Sequence, residues 1–384
     1  MLNTQLLYSN LLELCKSEDS PFYYVDHKLG DNHYRVFTYR LAQYSDFLKE
    51  GALECRGHMF HINPDGTFIG LASLPPQKFF NYQENPFTTG LDLSNGADLV
   101  MTKEDGSLIS SYWNGGMAGP LRLKSKTALA SEQAIAALDC LAKDKYFYNF
   151  VFTMTYNNYT VNMEFTSPHF RIVVPHQEER LTVLNIRSNI TGEYMPYAVI
   201  KKLMLNYQCE EYLVQNHLDG IDDLQTFVDS VPELNNGMEG YVVRLHNGMM
   251  FKVKTNAYIA LHRMKDSLGS QKRLFEVVVN EAHDDAKAAF ADDPFVISQI
   301  EDMEKKVAAI WVKLKQNVIE FYNANKELDR KSYALKGQAE LDRMYFGLAM
   351  TLYLGKEPEY KEWMLKHYKE LGIKDDVKPV DNDE

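Results

Sequence analysis

The spacing of hydrophobic and polar positions changes near residue 255 of this 384-residue chain. Before it, short runs rich in Tyr, Phe, Val and Thr alternate with Gly, Pro and Asn, which is typical of antiparallel strands and hairpins. After it, apolar residues recur three and four positions apart, as from Ile300 to Phe321, and this period predicts helices. The pattern therefore predicts an α+β fold with an antiparallel-sheet domain over 1–255, an all-helical C-terminal domain over 256–373 and an acidic, mobile tail over 374–384.

One segment of the sheet domain, MEGYVVRLHNGMMFKVKT, has the pattern of a hairpin. Its Asn-Gly dipeptide between two alternating runs predicts a two-residue type I′ turn. In that register Val243 lies opposite Lys252 and Tyr241 lies opposite Lys254. Because side chains alternate across a strand, Glu239 is expected on the face that carries both lysines. Desolvating charges is costly unless they are paired, so this face is either exposed to water or lines a polar pocket.

Other strand-like runs also carry charged residues among apolar ones. Arg56 follows an apolar run, Lys78 precedes two phenylalanines, and Glu164 interrupts an apolar strand. Lys124 and Lys126 are two positions apart and are expected on one strand face. Each alone is compatible with a solvated face or a structural ion pair. Together with the hairpin, six basic residues and two carboxylates on strands favour a site for a polyphosphate and a divalent metal.

Lys103 lies in the segment VMTKEDGSLISS, between two apolar strand-like runs. Gly106 breaks the strand pattern three positions later, so the lysine is predicted at a tight polar corner. A lysine at such a corner can be a nucleophile, a phosphate clamp or a solvated turn charge. The local pattern leaves these three alternatives open.

Composition restricts the partners. The net charge of -12 argues against a general nucleic-acid coat protein, and neither 1–255 (21 basic, 29 acidic residues) nor 256–384 (20 basic, 24 acidic) is basic. A polyanion site must therefore be concentrated by folding. Four cysteines without close CxxC pairs predict reduced thiols in a cytoplasmic protein, and no apolar run reaches membrane-spanning length, so no membrane partner is expected.

Four segments in chain order, TKEDGSL, NMEF, EGYVV and FKVK, resemble the nucleotidyltransferase motifs of DNA ligases, RNA ligases and mRNA-capping enzymes. The segments YRVFTYR, ALECRGHMF, KFFNYQENPF and LNIRSNITGEY and the helical C-terminus look like the phage ATP-dependent RNA ligases that repair broken tRNA, the RNA ligase 1 family. The resemblance covers nearly the whole chain. It implies ligation of 5′-phosphate and 3′-hydroxyl RNA ends through lysyl-AMP and RNA-adenylate intermediates, with ATP as co-substrate and Mg²⁺ or Mn²⁺ as the metal.

The resemblance also implies roles for single residues. Lys103 matches the nucleophile that attacks the α-phosphate of ATP, and we expect neighbouring cations and partial desolvation to lower its pKa. Glu164 matches a carboxylate near the ribose, Glu239 one associated with the catalytic metal, and Gly106 a point where the backbone approaches the nucleotide. Phosphate contacts are implied for Arg56, Lys126, Lys252 and Lys254. Positions in the nucleotide pocket are implied for Tyr39, Lys78 and Phe80, with Phe80 stacking on adenine.

In the helical domain, the resemblance implies a metal ion at the acidic pair Asp284 and Asp285, whereas N-capping and helix-dipole complementarity explain the same residues without a metal. The partner implied is RNA with 5′-phosphate and 3′-hydroxyl ends, specifically nicked tRNA, with the helical domain as the RNA-specificity module. The chain contains no GxxxxGK[ST] motif, so a separate end-healing kinase and phosphatase is expected. A monomer is expected, in the host cytoplasm if the protein is phage-encoded. Glu104, Asp105 and Tyr258 receive no role.

Two alternatives remain. A DNA ligase or capping guanylyltransferase is disfavoured because members of those groups generally append an all-β oligonucleotide-binding domain, whereas this chain continues with helices. A non-catalytic RNA-binding protein that keeps the fold would be supported by loss of Lys103, Glu164 or Glu239. All three residues are present.

Overall fold

The computed structural model describes residues 1–116 and 119–374, without the side chain of Ser267. The described residues divide into two compact units, 1–260 and 261–374. The predicted tail over 374–384 lies outside the described residues, except for Lys374. In the ranges described, no helix is both long and apolar enough to cross a membrane.

The described part of the first unit contains three four-stranded sheets. The first has the order β1-β2-β3-β4 and is antiparallel, with strands Phe22–Leu29, Asn32–Tyr39, His58–Ile62 and Phe68–Ser73. The second has the order β10-β9-β7-β8, with β7 at Ser107–Trp113, β8 at Leu121–Lys124, β9 at Tyr159–Thr166 and β10 at Arg180–Ser188. The third has the order β5-β12-β11-β6, with β5 at Phe80–Asn81, β6 at Ala97–Lys103, β11 at Gly240–Leu245 and β12 at Met250–Lys254. In the third sheet, β5 runs parallel to β12 and the other pairs are antiparallel.

Helices cover parts of these sheets. They are α1 (Thr4–Leu14), α2 (Glu132–Ala142), α3 (Lys145–Tyr156), α4 (Tyr197–Asn206) and α5 (Leu224–Ser230). The side chains of Asn3, Ser131 and Asp144 accept hydrogen bonds from first-turn N–H groups and so define the starts of α1, α2 and α3. Apolar residues of α2 and α3, including Leu141 and Phe150, pack in one core with the inner face of the second sheet. This burial stabilises the packing of β7 and β9 against the two helices.

The second unit is helical. Its helices are α6 (Asn256–Leu268, which begins in the first unit), α7 (Gln271–Val279), α8 (His283–Ala289), α9 (Pro294–Asn325), α10 (Arg330–Glu340), α11 (Arg343–Tyr353) and α12 (Tyr360–Lys366). Helix α9 starts with a proline in its first turn and an Asp293 cap, both favourable at this position. Its predicted apolar face is confirmed, because Ile300, Leu314 and Val318 are buried in the core of this unit. The predicted α+β fold is likewise confirmed.

The predicted register of the β11–β12 hairpin is wrong by one residue. Gly240 lies opposite Lys254 and Val242 opposite Lys252, rather than Tyr241 and Val243 opposite the two lysines. The connection is a three-residue loop, since the Leu245 N–H donates to the Met249 carbonyl and the Gly248 N–H donates to the Leu245 carbonyl. Only Gly248 of this loop has a positive φ (+83°), whereas a type I′ turn needs two such residues.

The correction changes which residues share a face. Tyr241 and Val243 pack in an apolar core together with residues of β12. Lys252 and Lys254 still lie on one face, because both shift together. The sequence pattern correctly predicted the two strands, but the loop between them is one residue longer than predicted. Because loop length decides the register of a hairpin, the predicted pairing was wrong.

Candidate active site

Lys103 is the last residue of β6 and lies opposite Gly240 of β11. Its Nζ is 2.6 Å from Oε1 of Glu239, the residue that precedes β11. Lys254, the last residue of β12, places its own Nζ 3.2 Å from the same oxygen. The ends of three neighbouring strands therefore bring two ammonium groups onto one carboxylate.

Gly240 makes this arrangement possible. Its φ is +150°, and a Cβ at this position would lie 2.0 Å from the Val253 carbonyl oxygen. Because real Cβ atoms do not approach so closely, a larger residue would separate β11 from β12. Glycine here therefore keeps Glu239 within reach of Lys103 and Lys254.

Glu164 of β9 approaches Lys103 from the second sheet. Its Oε1 accepts a hydrogen bond from the Gly106 N–H at 3.1 Å. Burial, together with the negative charge of Glu239, raises the pKa of Glu164 to about 8, although the charge of Lys103 opposes this rise. Glu164 is therefore largely protonated near pH 7.

The expected lowering of the Lys103 pKa is wrong. Burial disfavours the charged ammonium, but the nearby carboxylates, Glu239 foremost, outweigh it and raise the pKa of Lys103 above its ordinary value. The lowered value belongs to Lys252 instead. Burial, followed by the charges of Lys103 and Lys254, holds the pKa of Lys252 well below that of a free lysine.

The residues expected to form the nucleotide pocket lie close together. Lys78 Nζ is 5.3 Å from the ring centroid of Tyr39 and 5.3 Å from that of Phe80. Lys126 Nζ is 4.7 Å from the Tyr39 ring. The Phe80 ring is already stacked on Phe87, with centroids 5.0 Å apart, so adenine stacking on Phe80 stays a prediction.

Lys124 and Lys126 do not share a strand face as expected, because β8 ends at Lys124. The Lys124 side chain is fully buried and donates to the carbonyls of Ser125 and Lys126 at 2.9 and 3.1 Å. Burial, with the charge of Lys126, lowers the pKa of Lys124 to about 7. Lys124 therefore shapes the turn that presents Lys126.

Arg56 has a buried guanidinium nitrogen, Nη1, with no hydrogen-bond partner among the residues the structure describes. Its guanidinium carbon is 5.9 Å from the Phe79 ring, and its positive charge acts on Glu164. A buried donor without a partner is costly, and an anionic ligand would satisfy it.

Strand packing, apart from any nucleotide contact, requires glycine at position 106. A Cβ here would lie 2.4 Å from the Phe165 carbonyl oxygen of β9. The missing side chain thus allows two strands of the protein to approach, which is sufficient to require glycine. Its expected approach to a nucleotide stays a prediction.

Sequence reasoning missed the role of Asp105 and Tyr258. The Tyr258 hydroxyl donates to Asp105 Oδ1 at 2.7 Å, across 153 positions of sequence. Asp105 Oδ2 accepts from the backbone N–H groups of Val173 and Val174 at 2.8 and 2.6 Å. Asp105 thus fixes the corner after Lys103 to two distant segments. No local signal reveals such a contact, because its partners are remote in sequence.

Asp284 lies in the other unit, in the first turn of α8, and its side chain is 87% exposed. With His283 and Glu304 it offers ligand atoms close enough to hold a metal ion. Glu304, however, already contacts Lys287 at 2.7 Å and His283 at 3.1 Å. The metal role of Asp284 stays a prediction.

A lysine at a strand end, held between carboxylates and surrounded by cations on antiparallel sheets, has the features of a lysine-dependent nucleotidyltransferase. The family model described as "RNA ligase" matches residues 54–258, which is more than half of the chain. A second model, "T4 RNA ligase 1, C-terminal domain", matches residues 265–375. The chain therefore belongs to the T4 RNA ligase 1 family of RNA ligases.

Individual relatives are distant. A protein of Autographa californica nuclear polyhedrosis virus, "Putative bifunctional polynucleotide kinase/RNA ligase", is 26% identical over 263 residues, or 62% of this chain and 35% of the viral protein. The chain thus spans about a third of that relative's length. A "Putative RNA ligase" of Thermovibrio ammonificans is 22% identical over 290 residues, or 72% of each chain. Among solved structures, a lysine-to-alanine variant of the Naegleria gruberi RNA ligase with ATP and Mn is 14% identical, with TM-score 0.39, over 51% of this chain and 62% of that one.

Proposed function

We propose that this protein is an ATP-dependent RNA ligase that joins 5′-phosphate and 3′-hydroxyl RNA ends. The observation that carries the proposal is the contact of Lys103 and Lys254 with one carboxylate, Glu239, in a chain of this family. The two ammonium groups, together with the Arg56 Nη1 atom that has no hydrogen-bond partner among the described residues, provide positive charge for a phosphate ligand.

In the first step, the Lys103 Nζ forms a bond to the α-phosphorus of ATP, the bond to the leaving pyrophosphate breaks, and lysyl-AMP results. The Nζ must lose its proton before the attack, because only the free amine is nucleophilic. The carboxylate of Glu239, 2.6 Å away, favours retention of that proton on the Lys103 Nζ. Neutralising Glu239 lowers the pKa of Lys103, because the ammonium form then loses its nearest negative charge.

The remaining cations stabilise charge on the transferring phosphate. We assign this role to Arg56, Lys126, Lys252 and Lys254, and we assign the nucleoside pocket to Tyr39, Lys78 and Phe80. An anion beside Lys252 would raise the pKa of Lys252, since burial and the like charges of Lys103 and Lys254 lower it. Phosphate binding would therefore favour the ammonium form of Lys252.

Glu239 is the proposed carboxylate ligand of a divalent metal. Mg²⁺ is commonly bound by one or two carboxylates together with substrate phosphates, and a single carboxylate at the strand ends fits that pattern. When bound, the metal would neutralise charge on the phosphates of ATP. Its competitors for Glu239 are the two ammonium groups already described.

The later steps use the same site. AMP passes from Lys103 to the RNA 5′-phosphate to form a 5′–5′ pyrophosphate, and a 3′-hydroxyl then attacks and releases AMP.

We propose that the functional domains are 1–255 for adenylation and 256–373 for recognition of nicked tRNA. We also propose that the protein acts as a monomer in the cytoplasm, with a separate kinase and phosphatase that heals the RNA ends.

The first test measures covalent labelling of the protein. The wild type is incubated with Mg²⁺ and ATP labelled at the α-phosphate, beside Lys103→Ala and a control, Lys143→Ala. Lys143 is an exposed lysine that pairs with Glu179. We expect acid-labile label on the wild type and on the control, and none on Lys103→Ala. Absence of label on folded wild type that carries no pre-bound AMP would overturn the mechanism and favour a non-catalytic RNA-binding protein.

A further inference from the structure

Glu54 lies two residues before Arg56 and is held by two buried partners, His58 and Arg187, and by the partly buried Gln77. Its carboxylate oxygens accept hydrogen bonds from the Arg187 guanidinium at 2.8 and 2.9 Å. They also lie 2.6 Å from His58 Nε2 and 2.6 Å from the Gln77 amide nitrogen. Burial disfavours the charge, but His58 and Arg187 outweigh it and keep the pKa of Glu54 below its ordinary value. One ionised carboxylate thus joins three segments that are distant in sequence.

Arg187 of β10 extends this network to two more backbone segments. Its Nη1 donates to the Pro75 carbonyl at 2.8 Å, and its Nη2 donates to the Gly192 carbonyl at 2.8 Å. Its guanidinium carbon lies 4.8 Å from the Tyr194 ring. The side chain of Arg187 is only 2% exposed. The second sheet therefore anchors the segment that leads to Lys78.

Gln77 is the residue through which this anchoring reaches Lys78. Its side chain donates to Glu54, and its backbone N–H donates to the Tyr194 hydroxyl at 3.0 Å. The next N–H, that of Lys78, donates to the Leu53 carbonyl at 2.8 Å. Two consecutive residues, Gln77 and Lys78, are thus hydrogen-bonded to Glu54 and Leu53 in the segment before Arg56.

We propose that Glu54 is a positioning residue, which holds the Arg56 corner and the Lys78 segment at the spacing that ATP binding needs. Glu54 is joined to Arg56 through the backbone, because the Arg56 N–H donates to the backbone carbonyl oxygen of Glu54 at 2.7 Å. Glu54 itself is occupied by protein groups, so it acts through Arg56 and Lys78. This inference rests on the proposed function.

A positioning role explains this network better than a stabilising role, because a buried ion pair contributes little net stability. Desolvating a carboxylate and a guanidinium cancels much of their attraction, so apolar residues stabilise such a position equally well. Hydrogen bonds with fixed directions, in contrast, hold backbone segments to within a fraction of an ångström. Cations that bind the phosphates of ATP need that accuracy, because charge-assisted hydrogen bonds weaken steeply when their distance and angle depart from the optimum.

Gln77→Ala is the sharpest test, because it removes one hydrogen bond to Glu54 and leaves Arg187 and His58 in place. Formation of enzyme-AMP is measured in single turnovers over a range of ATP concentrations, together with the melting temperature. We expect the ATP concentration at half-maximal rate to rise about tenfold, because the Arg56 and Lys78 cations lose their spacing, with the limiting rate unchanged and the melting temperature lowered by only a few degrees for the lost hydrogen bond. Tyr194→Phe, which removes the acceptor for the Gln77 N–H, should shift the same quantity in the same direction.

The matched control is Gln316→Ala. Gln316 donates to Glu320 at 2.8 Å on an exposed surface of the helical unit, and its loss should leave the ATP dependence unchanged. A wild-type ATP dependence in both Gln77→Ala and Tyr194→Phe would overturn the positioning role while leaving the ligase proposal intact. A lower melting temperature without a change in the ATP dependence would also overturn it, since the network would then be structural only. Wild-type protein that forms no enzyme-AMP would instead refute the proposed function.

Discussion

At the scale of single residues, the charge state of the site depends on two carboxylates in different environments. Glu239 contacts two ammonium groups, whereas Glu164 accepts a backbone N–H from Gly106. Burial and the charge of Glu239 raise the pKa of Glu164 to about 8, so it is the carboxyl group that holds a proton near neutral pH. The site therefore gains negative charge as the pH rises through this value.

This shift predicts a pH dependence of stability. The unfolded chain has an ordinary glutamate, so between about pH 4.5 and pH 8 the folded state binds more protons at Glu164 than the unfolded state. The stabilisation from this residue is complete below that window and is lost as the pH rises through it, with a slope of at most about 1.4 kcal/mol per pH unit. Urea unfolding at pH 5, 6.5 and 8 would measure this as a free energy of unfolding that falls more steeply in the wild type than in Glu164→Gln.

Glu193→Gln serves as the control, since Glu193 is exposed in the turn after β10. Its free energy of unfolding should follow that of the wild type at all three pH values. Parallel pH profiles for the wild type and Glu164→Gln would show that the pKa of Glu164 is ordinary in the folded protein.

At the scale of elements, the site depends on the register of β6, β11 and β12. Lys103 lies opposite Gly240 on one side, and Lys254 lies opposite Gly240 on the other. Gly240 lies between the two lysines and has no side chain, so both lysines have space to reach Glu239. A change at Gly240 therefore acts on the strands and on the site together.

Gly240→Ala should destabilise the protein by several kcal/mol and abolish enzyme-AMP formation. The new Cβ would meet the Val253 carbonyl oxygen at 2.0 Å, and neither strand can move without breaking its hydrogen bonds. Gly248→Ala is the comparison, because its φ is +83° but nothing lies within 4 Å of the added Cβ. It should cost about 1 kcal/mol and keep the activity. Equal melting temperatures for the two variants would contradict this explanation.

At the scale of the whole molecule, the chain consists of two units with separate apolar cores. The Lys103 site, including Tyr258 in the first turn of α6, is built entirely from residues of the first unit. The domain limits 1–255 and 256–373 therefore differ slightly from the compact units, since residues 256–260 supply a contact to the corner after Lys103. A fragment that omits Tyr258 would lose this contact.

We predict that a fragment of residues 1–268 still forms enzyme-AMP but no longer discriminates nicked tRNA from other RNA. The reason is that all proposed nucleotide-contacting residues lie before 256, whereas RNA recognition is assigned to the helices. Labelling with ATP marked at the α-phosphate and sealing of competing RNA substrates would measure the two properties. The same fragment with Lys103→Ala is the control, and unchanged selectivity of the fragment would refute the assigned role of the helical unit.

Local pattern was sufficient to predict the α+β fold, the apolar face of α9 and the strands that carry Glu164, Lys252 and Lys254. The reason is that the spacing of apolar residues along a helix or strand depends only on the local backbone geometry, so each segment carries this information in its own sequence. The ordered motifs also led to the RNA ligase family. The prediction that all eight charged residues lie on strands was wrong, because the structure places Arg56, Lys78, Lys126 and Glu239 in loops and turns beside strands. The roles of the individual site residues are still predictions, although the fold does bring Lys103, Glu239 and Lys254 together.

Other properties depended on segments that meet only in the folded chain. The hairpin register followed from a loop one residue longer than expected, and the Lys103 pKa followed from nearby carboxylates, foremost that of Glu239, which precedes β11. Asp105 bonds Tyr258 across 153 positions, and Glu54 joins segments from three parts of the chain. Electrostatic and hydrogen-bond energies depend on distance in space, and separation along the sequence carries almost no information about that distance.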